Sequence, residues 1–216
     1  MTSDLFSDQI ESQVKLAAGA YWLRGFVLPE AYALCAMLIA HFNNHAPQQM
    51  MTPMGYHMSV RTTSVGTFGW VSTKQGYGYA AKNSLTNQHW PVMPELFLTL
   101  AQRAAKQAGY INFKPDTCLI NVYEIGDKMG LHQDKNEADF SQPIVSVSLG
   151  LPATFQFGGL TRAAKALKVP LSHGDVVVWG AESRLYYHGV LPLKSGAHPL
   201  LGHRRINLTF RKAGKM

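Results

Sequence analysis

The chain has almost no cysteine: Cys35 and Cys118 are the only two in 216 residues. Two thiols cannot staple a small disulfide scaffold, and they are too few for an all-cysteine zinc site. Both are expected as reduced core residues. Long apolar runs are missing too, and none approaches the roughly 20 residues of a membrane span. The first twenty residues carry Asp4, Asp8 and Glu11. They lack the basic start and apolar centre of a secretory signal. Cytoplasmic residence and no membrane partner are the resulting expectations. Acid is scarce: 13 Asp and Glu stand against 20 Lys and Arg, a net charge of +7. The imbalance is local. From Gly55 to Pro115 six basic residues face Glu95 alone, and from Lys194 onward six face no acid. Such stretches attract phosphate and make binding salt-dependent, although a merely soluble basic surface has the same composition.

What is present suits one compact domain, with 46% apolar residues and no repeat or low-complexity linker. Ala17 to Phe26 reads as strand. Pro29 opens a helix to about His45, with Ala31, Leu34, Cys35, Leu38 and Phe42 near one face. Residues 46–92 have little periodicity and are rich in Gly, Tyr, Thr, Asn and Trp, with short strands such as His57–Arg61. A second helix is expected from Pro94 to Ala108, packing through Leu96, Leu100, Arg103 and Ala104. Beyond Cys118, short strands and turns continue to Phe210. That pattern predicts a sandwich or jelly roll. The fold class is therefore mainly β with flanking helices.

Three fragments carry chemistry. His132-Gln-Asp134 and the distant His188 can offer two imidazoles and one carboxylate to one face of a ferrous ion, leaving positions open for an oxidant and a co-substrate. The His-x-Asp triplet alone is weak, since a surface His beside a surface Asp is equally ordinary. Residues two apart on an extended segment point the same way, so His132 and Asp134 can share an ion while Gln133 faces away. The third fragment is Arg205-Ile-Asn-Leu-Thr-Phe-Arg211. Arg205, Asn207, Thr209 and Arg211 share one face at period two, and Ile206, Leu208 and Phe210 share the other. A solvated edge strand is one reading. The other is a diacid site, because two arginines about 13 Å apart at their Cα atoms can hold the two ends of one small dicarboxylate.

These pieces resemble the bacterial AlkB DNA-repair dioxygenases. The matching stretches are Asn121-Val-Tyr123, Leu131-His-Gln-Asp-Lys135, Ile144–Gly150, Phe155-Gln-Phe-Gly-Gly159, His173–Gly180, His188-Gly189 and Arg205–Arg211. The likeness runs from about Ala17 to Lys215. It implies a double-stranded β-helix core, with residues 1–45 as a supporting extension and helix, 46–92 as a nucleotide-recognition lid and 93–216 as a helix plus the oxygenase core. It implies Fe(II) held by His132, Asp134 and His188, with 2-oxoglutarate and O2 as co-substrates. Asn121, Tyr123 and Asn207 would support the 2-oxoglutarate. Arg205 is expected at its keto-acid carboxylate and Arg211 at its distal one. The reaction implied hydroxylates an N-methyl group on a DNA base, then releases formaldehyde, with succinate and carbon dioxide as the other products. Single-stranded alkylated DNA is the expected partner, RNA a second one, and the protein is expected to be a monomer.

Gly69-Trp70 and Gly76-Tyr-Gly-Tyr79 set aromatics among glycines and cations. Aromatic faces can stack on bases, or they can pack a small satellite core. The resemblance implies that Trp70 and His132 sandwich the damaged base while Tyr77 grips the DNA backbone. A base methylated on a Watson–Crick nitrogen, such as 1-methyladenine or 3-methylcytosine, is cationic. It is favoured by an aromatic face and is cheaper to extrude than an intact base. Arg162 would contact phosphate or substrate, unless it is an ordinary loop arginine. At Asn136 the pattern departs, because the well-known bacterial member has Asp there, touching the exocyclic amine of the base. Two rival classes stay open: an iron/2-oxoglutarate oxygenase acting on RNA, lipid or protein, and a catalytically silent nucleic-acid-binding module.

Overall fold

The computed structural model describes residues 11–214. The first ten residues of the expected extension, and Lys215 and Met216, lie outside the described residues. Strands β1 (Gln13–Ala17) and β2 (Ala20–Leu23) lead into a 3-10 turn at Leu28–Glu30 and helix α1 (Ala31–Asn44). Next come β3 (Gln48–Met51), β4 (His57–Gly66), β5 (Gly69–Thr73), β6 (Gly76–Ala80) and helix α2 (Glu95–Gln107). The remaining strands are β7 (Thr117–Tyr123), β8 (Met129–His132), β9 (Ile144–Gly150), β10 (Ala153–Phe157), β11 (Leu167–Leu171), β12 (Val176–Trp179), β13 (His188–Val190) and β14 (Arg205–Arg211).

They form an eight-stranded sheet in the order β1-β2-β12-β9-β14-β7-β4-β3, and a four-stranded sheet in the order β11-β10-β13-β8. The two sheets face each other as the expected jelly roll. The large sheet is covered on both sides, so β7, β9 and β14 are buried along their whole length. On its outer side Val145, Val147, Leu149, Ile206, Leu208 and Phe210 pack with Leu34, Leu38, Phe97 and Leu100 of the helices. On its inner side Tyr123, Ile144, Val177 and Trp179 meet Phe155, Phe157 and Val190 of the small sheet. Truncating a core residue such as Leu208 to Ala would cost about 2–5 kcal/mol.

Both helices form where expected. α1 buries Ala31, Leu34, Cys35 and Leu38. α2 has Glu95 in its first turn and Lys106 in its last, which complements the helix dipole. Its buried stripe is Phe97, Leu100, Ala101, Ala104 and Ala105. The expected packing role of Arg103 is corrected: it is exposed and pairs with Glu30. The helical period aligns Phe97 with Leu100, Ala101 and Ala104, and this turns Arg103 outward. Cys35 and Cys118 are free and buried.

Segment 46–92 is shared between two sheets. β4 pairs with β7 from Arg61↔Val122 to Gly66↔Thr117, so it belongs to the large sheet. β5 and β6 form a separate hairpin in which Trp70 faces Tyr79 and Ser72 faces Tyr77. Trp90 locks that hairpin by donating its indole N–H to the Ala80 carbonyl. Its ring fills the space beside Gly69, where any Cβ would overlap it.

Candidate active site

Of the two readings of 205–211, the solvated edge strand is excluded. β14 lies in the middle of the large sheet, between β7 and β9. Its apolar face meets the helices, so its polar face turns inward to the space between the sheets. Arg205, Asn207, Thr209 and Arg211 are all buried there. Register places Arg205 beside Tyr123 and Asn207 beside Asn121. Buried polar atoms need partners. Asn207 donates to Ser146 and to the Val147 carbonyl, and accepts from Thr209. Arg205 donates one Nη2 bond to Ser148, with its guanidinium carbon 4.8 Å from the Tyr123 ring centroid. Its Nε and Nη1 have no protein partner, and neither do Arg211 Nη1 and Asn121 Oδ1.

The small sheet supplies the imidazoles. β13 pairs with β8 so that His188 lies directly across from His132. Their ring centroids are 4.4 Å apart. Each Nδ1 lies 2.9 Å from the carbonyl two residues earlier, Gly130 for His132 and Tyr186 for His188. Those bonds aim both Nε2 atoms at Asp134, at 3.8 Å from Oδ1 and 3.7 Å from Oδ2. The three possible ligand atoms lie within 4.8 Å of one another. One detail differs from expectation: β8 ends at His132, so Asp134 sits in the following loop rather than on the strand. Gln133 also does not face away. It lines the same cavity and donates its amide to the Leu185 carbonyl.

Arg211 stands beside this cluster and Arg205 does not. The Arg211 Nε and Nη2 reach Asp134 Oδ2 at 2.9 and 2.6 Å. The sequence-based expectation set Arg205 at the metal-proximal carboxylate; the ion pair with Asp134 instead places Arg211, and not Arg205, beside the ligand cluster. Burial alone would push the Asp134 carboxyl upward; Arg211, His188 and His132 together outweigh it and hold the carboxyl well below its ordinary range. Burial, reinforced by His132, lowers His188 to about 4. His188 is therefore a neutral imidazole at physiological pH, the form that binds a metal.

These groups floor a cavity of about 250 Å³. Of the residues expected at a site, His132, Asp134, His188, Asn121, Tyr123, Arg205, Asn207, Arg211, Trp70, Tyr77 and Asn136 all line it. Trp70 and Tyr77 stack at its mouth, with centroids 5.4 Å apart and planes 21° apart. Arg162 is not brought into the cavity lining; its guanidinium packs on the Tyr187 ring at 5.2 Å. Sequence reasoning missed Trp179, Phe155 and Leu119 in the walls. A period-two pattern shows that side chains alternate, but not which set faces a void. It also missed Glu137, Arg184 and Tyr79, which form a buried polar cluster behind Arg211. No spacing rule joins those three.

The donor set fits the group that such a site implies. Two imidazole nitrogens and one carboxylate suit a divalent iron. The unpartnered donors of Arg205 and Arg211 point to a ligand carrying carboxylates.

Comparisons with known proteins agree. Residues 19–211 match the 2OG-Fe(II) oxygenase superfamily. The chain is 55% identical to the alpha-ketoglutarate-dependent dioxygenase AlkB of Escherichia coli strain K12, covering 98% of each chain. It is 50% identical to the AlkB of Salmonella typhimurium strain LT2, again over 98% of each. The solved structure of OsALKBH1 superimposes with a TM-score of 0.82 at 28% identity, covering 93% of this chain and 99% of that one. The chain is thus an Fe(II)- and 2-oxoglutarate-dependent dioxygenase, and it belongs to the bacterial AlkB family of that superfamily.

Proposed function

We propose that this enzyme removes methyl groups from N-alkylated bases in DNA, 1-methyladenine and 3-methylcytosine above all. The observation that carries the reading is the stacked Trp70–Tyr77 pair, set over a cavity whose floor is His132, Asp134 and His188. A flat aromatic mouth above an oxidising centre suits a planar substrate with a methyl group at its edge. The AlkB names of the relatives support the same reading.

His132, Asp134 and His188 would hold Fe(II). Arg205 would anchor the distal carboxylate of 2-oxoglutarate through its free Nε and Nη1. Arg211 would meet the proximal carboxylate through Nη1 while keeping Asp134 oriented. Asn121 and Tyr123 complete the co-substrate wall, and Asn207 braces it. When bound, Fe(II), 2-oxoglutarate and O2 supply the oxidation that places a hydroxyl on the N-methyl carbon. The protein supplies binding, orientation and shielding. Trp70 would hold the flipped base against His132, with Tyr77 backing Trp70 and reaching the strand. The hydroxymethylated nitrogen then loses formaldehyde and the base is restored.

Segment 46–92 acts as the lid through its β5–β6 hairpin, with the remainder as scaffold. An open cavity mouth favours single strands, because a duplex must first release the base. RNA is accepted by the same stacking, and the enzyme acts as a monomer in the cytoplasm. Two buried free thiols suit that compartment, and no described helix is long and apolar enough to cross a membrane.

The test is anaerobic loading with Fe(II), 2-oxoglutarate and a methylated oligonucleotide, followed by oxygen and mass spectrometry. Loss of one CH2 per lesion, matched by formaldehyde, supports the reading. Turnover of 2-oxoglutarate with the lesion intact would assign another substrate. No turnover at all would leave a silent binding module.

A further inference from the structure

Arg211 is held by two carboxylates, and only one of them is in the ligand cluster. Its Nε lies 3.5 Å from Glu137 Oε1. The Glu137 side chain is 1% exposed, and it does not line the cavity. Its other oxygen accepts from Arg184 Nη2 at 3.1 Å. Tyr79, on the lid hairpin, donates its hydroxyl to Glu137 Oε1 at 2.6 Å. Arg184 returns to the cluster by donating Nη1 to the Asp134 carbonyl at 2.8 Å, and Nε to the Gln142 carbonyl. Two guanidiniums and two carboxylates thus form a closed, buried set. Such sets are worth little as stability, since desolvation offsets attraction, but they fix geometry.

Geometry is what Arg211 needs. With Asp134 as its only anionic partner, the guanidinium would be drawn wholly onto the carboxylate that a metal requires. Glu137 gives it a second anchor from behind. That leaves Nη1 without a protein partner, on a residue that lines the cavity.

We propose that Glu137 is a positioning residue for 2-oxoglutarate binding, acting through Arg211, with Tyr79 orienting Glu137 from the lid side. The inference rests on the dioxygenase class and not on the nucleic-acid substrate, so failure of the demethylase reading would leave it standing.

The experiment uses the full chain loaded with Mn(II) as an inert stand-in, without oxygen or DNA. Calorimetry reads the affinity for 2-oxoglutarate, and thermal unfolding reads the fold. Glu137→Gln, which keeps shape and removes charge, should weaken 2-oxoglutarate binding about tenfold, the low end for residues that orient a site from behind. In a separate assay with Fe(II) and O2, turnover at saturating 2-oxoglutarate should fall far less, a split that general loosening of the fold would not produce. Tyr79→Phe should show the same split more weakly. Unchanged affinity in a folded Glu137→Gln overturns the proposal. If that variant does not fold, Tyr79→Phe decides, and unchanged affinity there overturns it.

Discussion

Arg211 and Asp134 share one oxygen: two guanidinium nitrogens of Arg211 converge on Asp134 Oδ2, 77 residues away in sequence. Arg205, on the same strand face, has two unpartnered nitrogens and no contact with Asp134. The two arginines should therefore fail differently. Arg205→Ala is expected to raise the Michaelis constant for 2-oxoglutarate by the loss of a charge-assisted contact, roughly 1.5–3 kcal/mol. Its metal affinity should be unchanged. Arg211→Ala should weaken both metal and co-substrate. Titration with Mn(II), with and without 2-oxoglutarate, checks this, and equal metal affinities in the two variants would refute it.

The three ligand substitutions should all end turnover, but not with equal cost to the fold. The His132 side chain is 35% exposed, against 11% for Asp134. His132→Ala should fold almost as well as the parent. Asp134→Ala leaves Arg211 buried beside a lost charge, and breaking such a pair costs about 3–5 kcal/mol. Urea midpoints of the metal-free proteins measure the difference. Full activity in any folded ligand variant would remove that residue from the centre.

Trp70 stacks on Tyr77 at the cavity mouth, while the basic residues are spread along the chain. Trp70→Ala should cut the preference for methylated over intact bases more than it cuts total affinity for single-stranded DNA. Total affinity should instead fall as salt rises, through release of counterions from phosphate. Fluorescence anisotropy at several salt concentrations separates the two effects. Equal losses on both oligonucleotides would mean that Trp70 does not touch the lesion.

Asn136 is exposed and lines the cavity. Its amide can both accept and donate, and it carries no charge. Asn136→Asp should raise the preference for 1-methyladenine and 3-methylcytosine over 1-methylguanine and 3-methylthymine, because the first pair is cationic with an exocyclic amine. A competition assay ranks the four lesions. Identical rankings in both proteins would show that position 136 does not read the base edge.

His173 makes the fold pH-sensitive away from the site. Its Nδ1 accepts a hydrogen bond from the Gly150 backbone N–H at 2.9 Å. Burial, then the neighbouring His198, lowers its pKa below the ordinary 6.5. The unfolded chain therefore binds this proton first as pH falls. The stabilisation is complete above about pH 6.5 and is lost as pH drops toward the folded value. His173→Asn, which keeps an acceptor but does not titrate, should lose less stability between pH 7 and pH 5. Parallel urea curves for parent and variant would rule this out.

Much of the site was legible because its chemistry is carried by residue type. Few side chains can ligate iron or clasp a carboxylate, and the AlkB-like motifs picked His132, Asp134, His188, Arg205 and Arg211 from among them. The alternation in Arg205–Arg211 was equally plain. It could not say which face is buried, because period two is the same for an edge strand and for a central one covered on both sides. The loop position of Asp134 and the inward turn of Gln133 escaped for a related reason. Spacing predicts direction only while the strand continues, and β8 stops at His132.

Composition and periodicity by themselves determined a mainly β chain with two flanking helices, and the AlkB-like motifs in the same sequence singled out the two-His-one-carboxylate cluster and the aromatic lid. Only the tertiary structure decided which of the two arginines meets Asp134, the company that Arg211 keeps, and the place of Arg162 outside the cavity. These depend on contacts between groups far apart in sequence, such as Tyr79 with Glu137 and Asp134 with Arg211. Low dielectric makes them strong once both partners are buried. Nothing in the local chain records that burial until the sheets close over it.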